Sequence, residues 1–255
     1  MNESAENSEQ LSVEKIRGFF NDPRTVEYYM RAAVNLGLWE SEKGIFRKWL
    51  PNRTNAILDL GCGAGRIAFG LAELAYENVI GADLAEEMVE WARGLDKALG
   101  KGIEFQCEDA TNLRFKDGRF DAVVFGFNGL MQIPDWDKRL LALREIRRCL
   151  SPGGIFIFTT LDRGDRLYSK VFAREDLFEH DVGENPSLID FGDRLFETEH
   201  GTTFMHVPSA KEIRTALEEV GFMVLESSMR SEIAVESKAV LEFSEDCRFW
   251  VVGKR

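Results

Sequence analysis

Histidine and cysteine are scarce in this 255-residue chain, and positive charge is outweighed. The four cysteines, Cys62, Cys107, Cys149 and Cys247, lie far apart and form no Cys-x-x-Cys pair. The three histidines, His180, His200 and His206, show no zinc-ligand spacing. A disulfide scaffold and a structural metal are thereby excluded, no metal is expected at the site, and the cysteines read as reduced, buried thiols. No apolar stretch approaches the roughly 20 residues that cross a bilayer. Residues 1–10 are polar and acidic, without the basic start and apolar core of a secretory signal. The expectation is a cytoplasmic protein with no membrane partner. Lys and Arg number 32 against 44 Asp and Glu, for a net charge of −12. A phosphate backbone is neutralised by clustered cations, so nucleic acid is not the expected partner.

What is present is a core. Hydrophobic residues make up 44% of the chain and charged residues 30%, enough for one α/β domain with a modest insertion. Over 12–50, aromatic and apolar residues such as Phe19, Phe20, Tyr28, Tyr29, Trp39 and Phe46 recur at helical intervals. Pro23, Gly37 and Gly44 divide that stretch into two or three short helices. Strand patterns at 56–60, 79–83, 103–107, 120–126 and 155–160 then alternate with helical patterns at 65–75, 85–98 and 136–149. Such alternation predicts a mainly parallel sheet covered by helices on both faces. Pro152-Gly153-Gly154 reads as a sharp turn before the last of those strands.

The rhythm stops after Thr160. Residues 161–205 hold eleven Asp and Glu against five Lys and Arg, and 195–205 suits a hairpin turning at His200-Gly201. Pattern returns with a helix over 210–220, capped by Ser209 with Glu212 in its first turn and stopped by Gly221. Stretches 222–228 and 248–252 read as a last pair of strands. Residues 1–50 are thus expected to form a helical cap, and 51–255 a domain in which 161–205 is an insertion contributing to a pocket.

Chemistry concentrates at strand ends. Ile57-Leu-Asp-Leu-Gly-Cys-Gly-Ala-Gly-Arg66 is a buried strand that breaks into glycines at 61, 63 and 65 before a helix. A glycine turn between a strand and a helix N-terminus is where open α/β sheets bind nucleotide-like ligands. A dinucleotide fingerprint needs a small residue at the sixth position, where Arg66 stands, so the pattern favours a ligand without a pyrophosphate. The strand 79–83 ends in Asp83, a carboxylate placed to accept hydrogen bonds from both hydroxyls of a ribose. The strand 103–107 leads into Glu108-Asp109-Ala110, where an acid can receive an adenine amino group.

These series, together with Phe120-Asp-Ala-Val-Val-Phe125 and Leu150-Ser-Pro-Gly-Gly-Ile155, resemble the class I S-adenosylmethionine-dependent methyltransferases. The resemblance covers roughly 55–160 and implies a three-layer, Rossmann-like α/β fold. Its sheet would have seven mostly parallel strands, ending in a C-terminal antiparallel hairpin. It implies S-adenosyl-L-methionine as cofactor and S-adenosyl-L-homocysteine as product. Carried over by position, Gly61, Gly63 and Gly65 would face the methionine part, with Asp59 at its amino group. Asp83 would hold the ribose, Asp109 and Ala110 the adenine, and Arg66 would cover the helix start. Cys62, Leu84, Met88, Phe125, Gly126 and Phe127 would complete the cofactor site.

The acceptor is less constrained. Methyl transfer from a sulfonium rests mainly on alignment, and a base is needed only if the acceptor keeps its proton. Asn128 follows the fourth strand where amino-methylating enzymes of this superfamily carry an Asp/Asn-Pro-Pro-aromatic motif, but no proline follows it here. Asn128 and His206 are the candidate catalytic residues, and Tyr28, Tyr29, Asn128 and Met131 the candidate acceptor pocket. The expected reaction is methylation of a small molecule by in-line displacement, by a monomer or homodimer. A protein or RNA acceptor, or a cofactor-binding regulator without catalysis, remains open.

Overall fold

The computed structural model describes residues 12–165, 188 and 190–254. Three helices come first: α1 (Val13–Asn21), α2 (Pro23–Asn35) and α3 (Glu40–Trp49). The side chains of Ser12 and Asp22 cap the first two by accepting from Lys15 N and Arg24 N, and Pro23 occupies a position where its missing N–H costs nothing.

Parallel strands follow: β1 (Ala56–Leu60), β2 (Asn78–Asp83), β3 (Glu104–Cys107), β4 (Phe120–Phe125) and β5 (Leu150–Thr160). The helices α4 (Arg66–Glu73), α5 (Glu86–Leu99) and α6 (Trp136–Cys149) connect them. A separate hairpin, β6 (Asp193–Thr198) and β7 (Gly201–His206), precedes the helix Ala210–Val220 and the strands β8 (Phe222–Met229) and β9 (Arg248–Lys254). The seven-stranded sheet runs β3-β2-β1-β4-β5-β9-β8, with β9 antiparallel to both neighbours. This is the expected Rossmann-like architecture.

Strand periodicity builds the two cores. Ile57, Ala122, Val124, Ile157 and Val251 face one way and pack with Phe46, Ile67 and Leu71. Their neighbours Leu58, Val123, Phe156, Phe158 and Trp250 face the other way, onto Leu143, Ile146 and Leu217. Chain order reverses at β1, which pairs with β2 on one side and β4 on the other. The crevice beyond the carboxyl ends of these strands is the ligand position of such sheets.

Two local expectations change. Pro152-Gly153-Gly154 does not separate α6 from a strand, because β5 already begins at Leu150. The register jumps from Phe120↔Leu150 to Ala122↔Ile155, so the strand absorbs the turn as an irregularity. The stretch after β8 contains helices Arg230–Ile233 and Lys238–Phe243, which the sequence pattern does not announce. The Ser209–Glu212 capping box and the left-handed Gly221 stop are as the sequence predicts.

Within 161–205 the described residues include the β6–β7 hairpin, whose Phe204 packs with Ile16 of α1 and Leu188. The helical lead is fixed at its other end by Arg66, in the first turn of α4. Its guanidinium makes two hydrogen bonds to Glu42 of α3, at 2.7 and 2.6 Å, and one to Gly37 O at 2.8 Å. Arg66 and Glu42 are both buried. Removing one partner of such a pair leaves a bare charge in a dry interior. Glu42→Ala is therefore expected to lower unfolding free energy by about 3–5 kcal/mol in urea titrations. Glu27→Ala, which breaks an exposed pair with Arg31, is expected to leave the urea midpoint in place.

Candidate active site

The turn after β1 departs from ordinary backbone at alternate residues. Gly61, Gly63 and Gly65 have φ of 64°, 51° and 89°, in the left-handed region that side chains disfavour. A Cβ on Gly61 would lie 2.5 Å from the Phe125 ring, whereas one on Gly63 would meet nothing within 4 Å. The turn therefore presses on β4 at one glycine and opens at the next. Beyond it lies a cavity of about 150 Å³.

Two acids, Asp59 buried and Asp83 half-buried, meet the turn from neighbouring strands. Asp83, at the end of β2, accepts from Gly63 N and Ala85 N, each at 2.8 Å and each on a different oxygen. Burial pushes its carboxyl up, and the N–H groups of Ala85, Gly63 and Leu84 oppose that rise. Asp83 thus serves both the turn and the start of the next helix. Asp59, on β1, accepts from Ala68 N at 2.9 Å through Oδ2. Its Oδ1 is buried and has no hydrogen-bond partner among the described residues. Burial pushes the Asp59 carboxyl up to about 8, against the pull of Arg66 and the Ala68 N–H.

At the end of β3, Asp109 Oδ1 accepts from Thr111 N and Oγ1, at 2.8 and 2.7 Å. The adjacent Glu108 carboxylate is committed to Arg114 N and Nε, at 3.0 and 2.9 Å. After β4, Phe127 and Asn128 both have positive φ, 50° and 61°, which is strained for non-glycine residues and places the Phe127 ring in an aromatic cluster. That ring stands edge-on to Tyr29 and Trp39 and tilts against Phe243.

The cavity is lined by Asp59, Gly61, Cys62, Gly63, Arg66, Asp83, Leu84, Met88, Asp109, Ala110, Phe125, Gly126 and Phe127, and also by Tyr29, which packs with Ala64, Ala85 and Met88. Arg66 borders it with a guanidinium already bound to Glu42 and Gly37 and lying 4.6 Å from the centre of the Trp39 ring. Five sequence candidates fall elsewhere. Gly65 caps α4 beneath Phe69, whose Cε2 a Cβ would approach to 2.7 Å, so it serves helix packing. Tyr28 is partly exposed, stacks on Phe243 and tilts against His200. Met131 is buried between Leu140, Trp136 and the sheet. Asn128 is buried with its N–H donating to Thr159 Oγ1, and it does not line the cavity.

His206 likewise does not line the cavity. It is fully buried, with Nδ1 2.8 Å from Asp193 Oδ1 and Nε2 facing Glu212 at 3.7 Å. Arg139 shares Asp193 and Asp190, so the cluster ties the hairpin to α6 and to the helix Ala210–Val220, away from the cavity. The sequence reading also missed lining residues. Ile16 and Phe20 were legible as one face of α1, four residues apart, while Gln132, Ile133, Pro134 and Phe243 reach the cavity only through tertiary contacts.

Residues 57–154 match the family model described as a methyltransferase domain. The demethylmenaquinone methyltransferase of Bacteroides fragilis is 32% identical over 170 residues, 62% of this chain and 68% of that protein. The ubiquinone/menaquinone biosynthesis C-methyltransferase of Rickettsia massiliae is 33% identical over 152 residues, 57% of this chain and 60% of its own length. An S-adenosylmethionine-dependent methyltransferase from Methanosarcina mazei superposes with a TM-score of 0.68 at 23% identity, covering 86% of this chain and 98% of its own. The cyclase SpnF superposes with a TM-score of 0.65 at 17% identity, covering 96% and 97%, and shows likeness of fold alone.

The Asp59 environment has a thermodynamic signature. The folded protein holds a proton on this carboxyl that the unfolded chain releases near its ordinary value of 3.8, so its contribution to stability falls as pH rises to about 8. Asp59→Asn keeps an acceptor for Ala68 N. It is expected to exceed the wild type in stability by on the order of 2 kcal/mol or more above pH ~8, with the gap closing towards pH ~4. Urea titrations across that range would show a pH-independent gap if the acid were not so strained.

Proposed function

The chain belongs to the class I S-adenosylmethionine-dependent methyltransferases, and from that premise we propose that it methylates an apolar small molecule. That molecule would lie between the N-terminal helices and the segment after β4. The observation that carries the reading is the buried, unpartnered Oδ1 of Asp59 beside an open glycine turn. Buried acceptors require a donor. An ammonium group is the donor that satisfies this one and also restores its charge.

The other residues present fit the same cofactor. Each Asp83 oxygen accepts one backbone N–H and keeps a lone pair, which suits two adjacent ribose hydroxyls. Asp109 and Ala110 would meet the adenine edge, and Cys62, Leu84, Met88 and Phe125 give the same cavity apolar lining. Bound there, S-adenosylmethionine supplies an electrophilic methyl group on a sulfonium. The protein's part is positioning and exclusion of water. Tyr29, Phe127 and Phe243 give the chamber aromatic faces that favour a cation.

The acceptor half is built from α1, α2 and the turn at Gly129–Gln132, with side chains that are mostly apolar. Two relatives at about one-third identity are named for quinone methylation, which supports a ring-bearing acceptor here. A net charge of −12 weighs against RNA. The four cysteines are all unbridged, which supports a cytosolic setting. Among the described residues, no helix is long and apolar enough to cross a membrane.

Calorimetry with S-adenosylmethionine tests the cofactor assignment. Wild type should bind, and Asp83→Ala should bind at least about tenfold more weakly through loss of charge-assisted hydrogen bonds. Equal binding by both proteins would remove Asp83 from the ribose site, and no binding by wild type would overturn the reading as a whole.

A further inference from the structure

The cavity is chemically divided. Its carboxylates, Asp59, Asp83, Glu108 and Asp109, all belong to the strand-end side, and each already accepts at least one backbone N–H. The opposite side is apolar, with Ile16, Phe20, Ile133, Pro134 and Phe243 as principal walls. Its polar side chains are Arg17 and Gln132, whereas Tyr29 packs with Ala64, Ala85 and Met88 beside the glycine turn. No carboxylate, histidine or lysine lines that side among the described residues. The Tyr29 hydroxyl is pushed up by burial, so it remains a protonated donor.

Arg17 and Gln132 line the chamber from different elements, α1 and the turn after β4. Neither the exposed Arg17 nor the half-buried Gln132 makes a side-chain hydrogen bond or ion pair among the described residues. Glu14, three residues before Arg17, is exposed, and its carboxyl is held below the ordinary value by backbone and Ser12 hydrogen bonds and, less, by Arg17 and Lys138. A cation and an amide donor left without partners at the rim of an apolar chamber provide recognition for an anionic oxygen.

We propose that the acceptor binds as an anion, an apolar ring-bearing acid whose ionised oxygen is held by Arg17 and Gln132. The inference rests on the methyltransferase reading above and deepens it by naming the charge of the acceptor. It accounts for a chamber without a base: an acceptor that enters ionised brings its own electron pair, and no side chain is needed to take its proton. It also explains why an acidic protein keeps a cation at this mouth. Transfer to a cationic acceptor would set Arg17 against it, and a neutral apolar acceptor would leave both polar groups unused.

The test uses the full chain saturated with S-adenosylhomocysteine and three probes of one ring system, measured by calorimetry near neutral pH. The probes are 2-naphthoate, 2-naphthol and 2-naphthylmethylammonium. The anion should bind at least about tenfold more tightly than either of the others. Arg17→Gln should weaken 2-naphthoate about tenfold and 2-naphthol less than about twofold, with Arg17→Lys recovering part of the loss. The product should bind Arg17→Gln as it binds wild type, which verifies that the variant is folded. Tightest binding by 2-naphthol or the ammonium, equal losses for anion and neutral probe, or no binding by any probe would overturn the proposal. Failure of S-adenosylhomocysteine itself to bind wild type would instead sink the methyltransferase reading.

Discussion

Arg66 leaves the glycine turn at the first residue of α4 and crosses to Glu42 of α3, and the geometry of the whole cavity hangs on that crossing. The guanidinium also binds Gly37 O and lies over Trp39, while Glu42 Oε2 accepts from Trp39 N at 2.9 Å. An apolar pair in the same place would bury surface as well, and buried ion pairs are weak sources of net stability. What the pair adds is a single permitted register, because any slip of α3 along α4 would strand two charges. Glu236 reinforces the arrangement by accepting from Glu40 N and Ser41 N at the start of α3. The helical lead is thus set against the strand ends by charge as well as by packing.

The site on the sheet side carries a cost that the fold absorbs. Two acids, Asp59 and Asp83, are held in an interior that disfavours their charge. Two consecutive non-glycine residues, Phe127 and Asn128, adopt left-handed backbone where β4 ends. Such strain persists only where the surroundings over-determine it. Here the surroundings are the sheet above and the aromatic cluster of Tyr29, Trp39 and Phe243. Destabilised polar groups and strained backbone converge on one cavity, as expected where ligand binding, rather than folding, selects the residues.

Most of the sheet was legible because its signals are local. Alternating apolar runs mark β1 to β5, and Ser209, Glu212 and Gly221 mark both ends of one helix within its own sequence. The glycine turn and Asp83 were legible for a related reason, since strand, turn and carboxylate recur at a fixed spacing. Arg66 and His206 were not, because their roles depend on partners far along the chain. Arg66 reads as a helix-start residue until Glu42 is placed beside it, and His206 reads as a base until Asp193 and Glu212 enclose it. Phe243 gives no sequence signal at all, since it reaches the cavity from a short helix after β8.

The central claim is that the cavity between β1, β2 and the glycine turn is the cofactor site. A crystal structure with S-adenosylhomocysteine tests it most directly. The amino group of the product is expected against Asp59 Oδ1, with both ribose hydroxyls on Asp83 and the Arg66–Glu42 pair unbroken. Product bound elsewhere, or bound here with Asp59 Oδ1 still unpartnered, would contradict it.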